Sequence, residues 1–180
     1  MFRKITARLR YSMIVLGVIV AVSGCASSRQ ARDGEPLKPN QGLLAVHVTS
    51  NADAYVTYVD YIEESTFASR FGEELVGAKG WVNLKAGNGF QLIPVDAGEY
   101  TFSKLNVYPR FAWLQSTNRF RVEANTITYI GHIRMDVSEK GFKLDAFDEE
   151  LAMRTYLAET YPAYFSVMGL RKAVVELNLR

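Results

Sequence analysis

From residue 42 onward, apolar and polar positions alternate with the two-residue period of β-strands, punctuated by Gly, Asn, Asp and Pro. Residues 42–50 place Leu44, Val46 and Val48 on one face and Ala45, His47 and Thr49 on the other. After the short turn at Asn51-Ala52-Asp53, residues 54–62 are apolar on both faces, as in an interior strand. Residues 81–84 and 90–93 flank Lys85-Ala86-Gly87-Asn88-Gly89 and predict a hairpin. A longer strand covers 99–108. Tyr100 and Phe102 share one face of it before Leu105 and Val107 take over, and that change of phase predicts a bulge. Residues 119–123 and 126–137 are strands joined through Ala124-Asn125. In the second, Ile127, Tyr129, Gly131, Ile133 and Met135 alternate with Thr128, Ile130, His132 and Arg134. Residues 142–147 and 171–179 complete the set.

Three segments depart from this period. Phe67, Phe71 and Leu75, followed by Gly77, predict a short amphipathic helix or packed loop over 64–77. Residues 109–117 form a loop carrying Phe111 and Trp113. Asp148 is an N-cap with Glu149 and Glu150 in the first helical turn, where negative charge suits the helix dipole. Met153, Tyr156, Leu157 and Tyr161 form one stripe of that helix, and Pro162 stops it. The expected fold is mainly β: an antiparallel β-sandwich of about eight strands with one late α-helix, over residues 42–180.

The N-terminus is patterned differently. Arg3, Lys4, Arg8 and Arg10 precede an apolar run over residues 13–22, then Ser23-Gly24-Cys25. Roughly 20 apolar residues are needed to span a bilayer, and runs of about 10–14 are typical of signal sequences. Residues 26–41 are polar, contain Pro36 and Pro39, and read as a flexible tether. Fully extended, it would reach roughly 50 Å. The segments are therefore a signal over 1–24, a tether over 25–41 and a β-domain over 42–180. The 21 basic and 19 acidic residues of the whole chain become 17 and 19 without residues 1–24. The basic excess belongs to the signal, and no basic patch points to nucleic acid.

Val22-Ser23-Gly24-Cys25 resembles the lipobox of bacterial lipoproteins. The resemblance implies cleavage before Cys25, lipid on its thiol and a three-chain membrane anchor. Ala26, where an Asp would signal inner-membrane retention, implies the outer membrane with the domain facing the periplasm. Cys25 is also the only cysteine, which excludes an intramolecular disulfide. Two further segments carry a second resemblance. Pro94-Val95-Asp96-Ala97-Gly98-Glu99-Tyr100-Thr101-Phe102 and Phe120-Arg121-Val122-Glu123-Ala124-Asn125-Thr126-Ile127-Thr128-Tyr129-Ile130-Gly131 are similar to the turn-strand rhythm of bacterial envelope lipoproteins with prealbumin-like or carboxypeptidase-regulatory-like sandwiches. Gly98 can take positive φ there, and Asn125 stands where those proteins have Gly. The resemblance implies a fold and an address and carries no catalytic residue.

Candidate chemistry is sparse. His47 and His132 are the only histidines and read as solvent-facing or edge residues. A zinc site uses three or four ligands, and the single Cys is committed to lipid, so no metal and no cofactor is expected. The Gly-x-Ser-x-Gly nucleophile elbow is absent, and Ser69, Ser103, Ser116 and Ser166 have no glycine bracket. Asp145, Asp148, Glu149 and Glu150 are explained as a strand end and a charged helix start. Gly87-Asn88-Gly89 is too short to cradle a phosphate. Phe111 and Trp113, beside Arg110, are the candidate partner contact, because exposed aromatics next to an Arg are typical of contact surfaces. The expected function is a non-catalytic, lipid-anchored module that binds another envelope component, a protein or the cell wall. The alternatives are an apolar-ligand carrier with an internal cavity and an envelope hydrolase, to which a cluster of His132 with acids would point.

Overall fold

A computed structural model describes residues 29–61, 77–115 and 119–179. The signal segment, Cys25 and most of the expected helix over 64–77 lie outside the described residues. Among the described residues the chain is mainly β, with two sheets packed face to face and two short helices. Eleven strands occur among the described residues, against the eight expected. They are β1 (Gln41–Ser50), β2 (Ala54–Asp60), β3 (Gly80–Leu84), β4 (Gly87–Asp96), β5 (Gly98–Val107), β6 (Arg110–Gln115), β7 (Phe120–Val122), β8 (Thr126–Ser138), β9 (Gly141–Phe147), β10 (Gly169–Lys172) and β11 (Asn178–Leu179). The first sheet runs β10-β8-β1-β4 with β9 also on β8, and the second runs β11-β6-β5-β2-β3 with β7 also on β5. The first is mixed rather than antiparallel, since β8 is parallel to both β1 and β10.

The expected hairpin at residues 85–89 is instead a crossing between sheets. β3 pairs with β2 in the second sheet, whereas β4 pairs along ten residues with β1 in the first. The physical reason lies in β4, which is apolar on both faces. Ile93 and Val95 enter the core between the sheets, and Leu92 and Phe90 join a second cluster on the far side. The first sheet is covered on both sides, which suits a strand that is apolar on both faces.

That covering layer is helical. α1 (Glu150–Thr160) and α2 (Pro162–Val167) bring Met153, Leu157, Tyr161 and Tyr164 against Leu43, Ala45, Ile127 and Tyr129. The expected stripe holds, but the single late helix is two. Pro162 ends α1 and begins α2, as its fixed φ and missing N–H allow. α1 starts one residue beyond the expected position. Glu149 is its N-cap, while Asp148 Oδ1 accepts from the Glu150 N–H at 3.2 Å.

Residues 29–40, expected to be part of a free tether, are docked on this layer. Ala31 is buried and its N–H donates to Leu92 O at 2.7 Å. Asp33 accepts from the N–H groups of Ala163 and Tyr164, both at 3.1 Å, and so caps α2 from outside the helix. The Tyr164 hydroxyl donates to Glu35 O, and the Tyr161 hydroxyl to Ala31 O at 3.3 Å. These polar residues bury little apolar area of their own. They are held because they satisfy the open N-terminus of α2 and the hydroxyls of two buried tyrosines.

Two bulges set the phase of the long strands. In β5, Ser103 is the extra residue between the Thr57–Lys104 and Tyr58–Phe102 pairs, so Tyr100, Phe102, Leu105 and Val107 all enter one core. This is the expected bulge. In β8, Ile130 and Gly131 together oppose Val46, between the pairs Ala45–Tyr129 and His47–His132. Ile127 and Tyr129 therefore face the helices, whereas Ile130, Ile133 and Met135 face the second sheet. Gly131 has φ +109, and a Cβ there would stand 3.0 Å from Phe147 O and 3.1 Å from Val174 Cγ1. Asn125 takes positive φ (55) as expected; Gly98 does not, and its place is set by the Tyr100 side chain, whose hydroxyl oxygen is 3.1 Å and nearest ring carbon 3.2 Å from where a Cβ would sit.

The C-terminal segment, expected as one strand over 171–179, is split between the sheets. β10 pairs with β8, and after Val175 and Leu177 enter the core, β11 pairs with β6.

Gly131→Ala is expected to destabilise the protein by about 1–3 kcal/mol, because Ala must adopt a disfavoured φ against a backbone oxygen. Urea unfolding of both forms measures it, and an unchanged midpoint would contradict the bulge.

Candidate functional site

The first sheet brings four rings into one register row. Phe90 on β4 is paired with His47 on β1, His47 with His132 on β8, and His132 with Phe147 on β9. All four side chains lie on the helix-facing side. Phe90 and His47 stack at 4.1 Å between centroids, and His47 and His132 at 3.8 Å with planes 17° apart. Tyr156 of α1 stacks on Phe90 at 4.4 Å and extends the column. Phe147 closes it edge-on at 6.3 Å, with the Arg134 guanidinium 5.1 Å over its ring. Neither histidine is a solvent-facing or edge residue as expected: His47 is 7% exposed and His132 is 3% exposed. The alternation of β1 did place His47 opposite the core, but that face is roofed by helices.

A second row supplies the partners. Asn88 and Thr49 are paired across β4 and β1. Asn88 Oδ1 lies 2.6 Å from His47 Nε2 and accepts the Thr49 hydroxyl at 3.0 Å. Thr49 Oγ1 in turn lies 2.9 Å from His132 Nε2. Since the hydroxyl proton goes to Asn88, Thr49 Oγ1 accepts from His132 Nε2–H, and Asn88 Oδ1 accepts from His47 Nε2–H. With Asn88 Oδ1 in this place both rings donate from Nε2, and the 3.0 Å hydrogen-bond contact of His47 Nδ1 with the Glu149 carboxylate calls for a second proton or another cation there.

The two Nδ1 atoms converge on one oxygen. Glu149 Oε2 is 3.0 Å from His47 Nδ1 and 3.0 Å from His132 Nδ1. Glu149 is aimed there by its backbone, whose N–H donates to the Tyr129 hydroxyl at 2.9 Å. Its neighbours turn elsewhere. Asp148 pairs with Lys172 at 2.9 Å, and Glu150 with Arg154 at 2.7 Å and Lys172 at 3.3 Å. One oxygen cannot align with two stacked rings at once. His132 Nδ1 is buried within ion-pair distance of the carboxylate yet outside hydrogen-bond geometry. Burial pushes the His132 imidazolium below its usual range, and the facing carboxylate only partly opposes this. The His132 ring beside Glu149 holds that carboxyl below the usual range.

His47, His132 and Glu149 can hold a metal ion, their three ligand atoms lying within 4.8 Å of one another. Sequence spacing does not reveal this trio, because Glu149 reads as part of a charged helix start. Thr49, His132 and Glu149 also share the connectivity of a hydroxyl–imidazole–carboxylate triad. Its polarity is reversed: a nucleophile must donate to the imidazole, and the Thr49 proton points to Asn88.

The expected contact residues lie on the opposite side of the molecule. Phe111 and Trp113 are on β6 rather than in a loop, and are 56% and 39% exposed. Their rings meet edge-on at 5.9 Å, and Lys104 Nζ lies 4.8 Å from each ring centroid. Register extends the patch across the second sheet. Trp81, Thr57, Lys104 and Trp113 form one row, and Asn83, Tyr55, Asn106 and Phe111 the next. The inner face of this sheet is filled. Leu44, Val46, Val56, Leu84, Leu105 and Ile133 are fully buried between the sheets. A recess of about 410 Å³ lies instead near the β3–β4 crossing, lined by Lys85, Asn88, Phe90 and Gln91 among others. The two candidate surfaces are thus separated by the thickness of the sandwich.

Comparison with protein-family models, curated proteins and solved structures found no match for this chain.

The depressed affinities of His132 and Glu149 for protons have the same sign. Each makes the folded chain bind fewer protons than the unfolded chain, so each contributes stability above its unfolded pKa that is lost on acidification through the folded value. The His132 contribution begins to fall below pH 6.5, and that of Glu149 below pH 4.5. NMR titration of the His132 ring in chelator is expected to give a midpoint below 6.5. A midpoint at or above 6.5 would contradict the burial argument.

Proposed function

We propose that this chain is a lipid-anchored, non-catalytic binding module of the bacterial outer membrane. It faces the periplasm and contacts an envelope partner through the outer face of its second sheet. The observation that carries this reading is the aromatic patch of Phe111, Trp113, Tyr55 and Trp81 around Lys104, held on paired strands. Aromatic side chains give large contact area at low entropic cost, and a strand scaffold leaves little to order on binding. The filled space between the sheets favours a binding module over a carrier with an internal cavity. The two turn-strand segments that resemble prealbumin-like sandwiches form the end of β4 with β5, and β7 with β8. We assign the sandwich to that kind on their account.

The address rests on the lipobox-like Val22-Ser23-Gly24-Cys25. Docking of residues 29–40 changes the consequence of such an anchor. Three residues separate Cys25 from Arg29, four Cα–Cα steps that reach about 14 Å at full extension. The domain would sit close to the bilayer on its helical side, with the aromatic face turned away and available.

Crosslinking in intact cells, followed by mass spectrometry, tests the contact. The double variant Phe111→Ala, Trp113→Ala is expected to fold normally and to weaken capture of a reproducible envelope partner by about tenfold or more. An unchanged set of crosslinked partners would contradict the assignment. The anchor is tested separately by metabolic labelling with a fatty-acid probe. Label should enter the native chain and be lost in Cys25→Ser; label retained in the variant, or absent from both, would overturn it.

A further inference from the structure

We propose that His47, His132 and Glu149 bind a divalent transition-metal ion of the zinc class, through the two Nδ1 nitrogens and Glu149 Oε2. This site goes beyond the envelope reading and does not depend on it. Three independent observations lead to it.

The first is the direction of the protons. Asn88 and Thr49 accept the Nε2 hydrogens of the two rings, so in the neutral rings both Nδ1 atoms are lone pairs. They face Glu149 Oε2 3.0 Å away; the His47 contact has hydrogen-bond geometry, and because a carboxylate only accepts, it requires a second proton on that ring or another cation in its place. Three lone-pair atoms without an intervening positive charge repel one another. A cation between them converts the repulsion into three bonds.

The second is an unpartnered atom. His132 Nδ1 is buried and aimed into the site without a hydrogen bond, and its side chain is only 4% exposed. A buried polar atom left unsatisfied carries its full desolvation penalty, which ligation would recover.

The third is the fit. Metal–ligand bonds of about 2.0–2.2 Å in tetrahedral array place ligand atoms about 3.4 Å apart. Both nitrogen–oxygen separations are 3.0 Å, so the distances need to open by only a few tenths of an ångström, while the rings, stacked 3.8 Å apart with planes 17° from parallel, must splay for both lone pairs to meet one ion. The outer hydrogen bonds are those of a metal-ligating histidine, whose second nitrogen donates to an oxygen that fixes ring and tautomer. Asn88 and Thr49 provide them. Two imidazoles and one carboxylate suit zinc and its neighbours; magnesium and calcium prefer all-oxygen sites. The Glu149 side chain is 38% exposed, which gives an ion a way in and leaves a fourth position open to water. The competing occupant is a proton, shared as an imidazolium with Glu149.

The test uses the full-length protein in detergent, stripped with chelator and titrated calorimetrically with zinc chloride at pH 7.5. One equivalent of zinc is expected to bind, with excess magnesium chloride failing to compete. Asn88→Ala leaves the three ligands in place at an exposed position and should weaken binding by about ten- to a hundredfold. Glu149→Gln removes the ligand charge and should weaken it at least as much. Long-range ¹H–¹⁵N spectra should show zinc shifting Nδ1 of both rings and leaving Nε2 protonated. No binding, affinity unchanged in both variants, equal competition by magnesium, or ring signals that respond to pH but not to zinc would each overturn the proposal. The last would assign the site to a proton.

Discussion

One extra residue in β8 organises this protein. Without the bulge at Ile130-Gly131, Ile127, Tyr129, Ile133 and Met135 would all lie on one face of the strand. With it, the first half of β8 feeds the helical layer and the second half feeds the core between the sheets. The bulge also turns His132 onto the helix-facing side, beside His47. The break in pairing continues on the other flank of β8, where β10 ends at Tyr129 and β9 begins at His132. A single glycine, free to adopt φ +109, allows one strand to serve two cores and to complete the histidine pair.

The helical layer depends on polar contacts from outside the helices. α2 is only six residues long and begins at Pro162, so its first N–H groups would be open. Asp33 takes two of them, and Ala31 joins the segment to the edge strand β4. The same segment supplies Gln30 to the Tyr161 hydroxyl. Roof and strap hold each other, and the roof in turn delivers Glu149 and Tyr156 to the ring column. The outer face of the second sheet carries Tyr55, Trp81, Lys104, Phe111 and Trp113, with Thr57 buried among them.

Legibility in the sequence followed periodicity. The β5 bulge could be read because Tyr100-Phe102 and Leu105-Val107 visibly change phase. The β8 bulge could not, because Ile127, Tyr129, Gly131, Ile133 and Met135 alternate without a break, and apolar residues on both faces hide the shift. The α1 stripe was legible from Met153, Leu157 and Tyr161, whereas its split from α2 required knowing that Asp33 would cap the second piece. The crossing at residues 85–89 looked like a hairpin because local turn chemistry is the same for both. Partner choice was decided by the two-sided burial of β4. The histidine site was hidden most deeply. His47, Asn88, His132 and Glu149 come from four elements, joined by a parallel pairing across more than eighty residues that no local pattern encodes.

The proposed metal site stands on the two rings being held in one orientation by Asn88 and Thr49. Long-range ¹H–¹⁵N correlation on the metal-free protein at pH 8 reads this directly. Both His47 and His132 should appear as neutral rings protonated at Nε2, with Nδ1 bare. A proton on Nδ1 of either ring would mean that the hydrogen-bond row runs the other way, and the convergence of three lone pairs on one point would not exist.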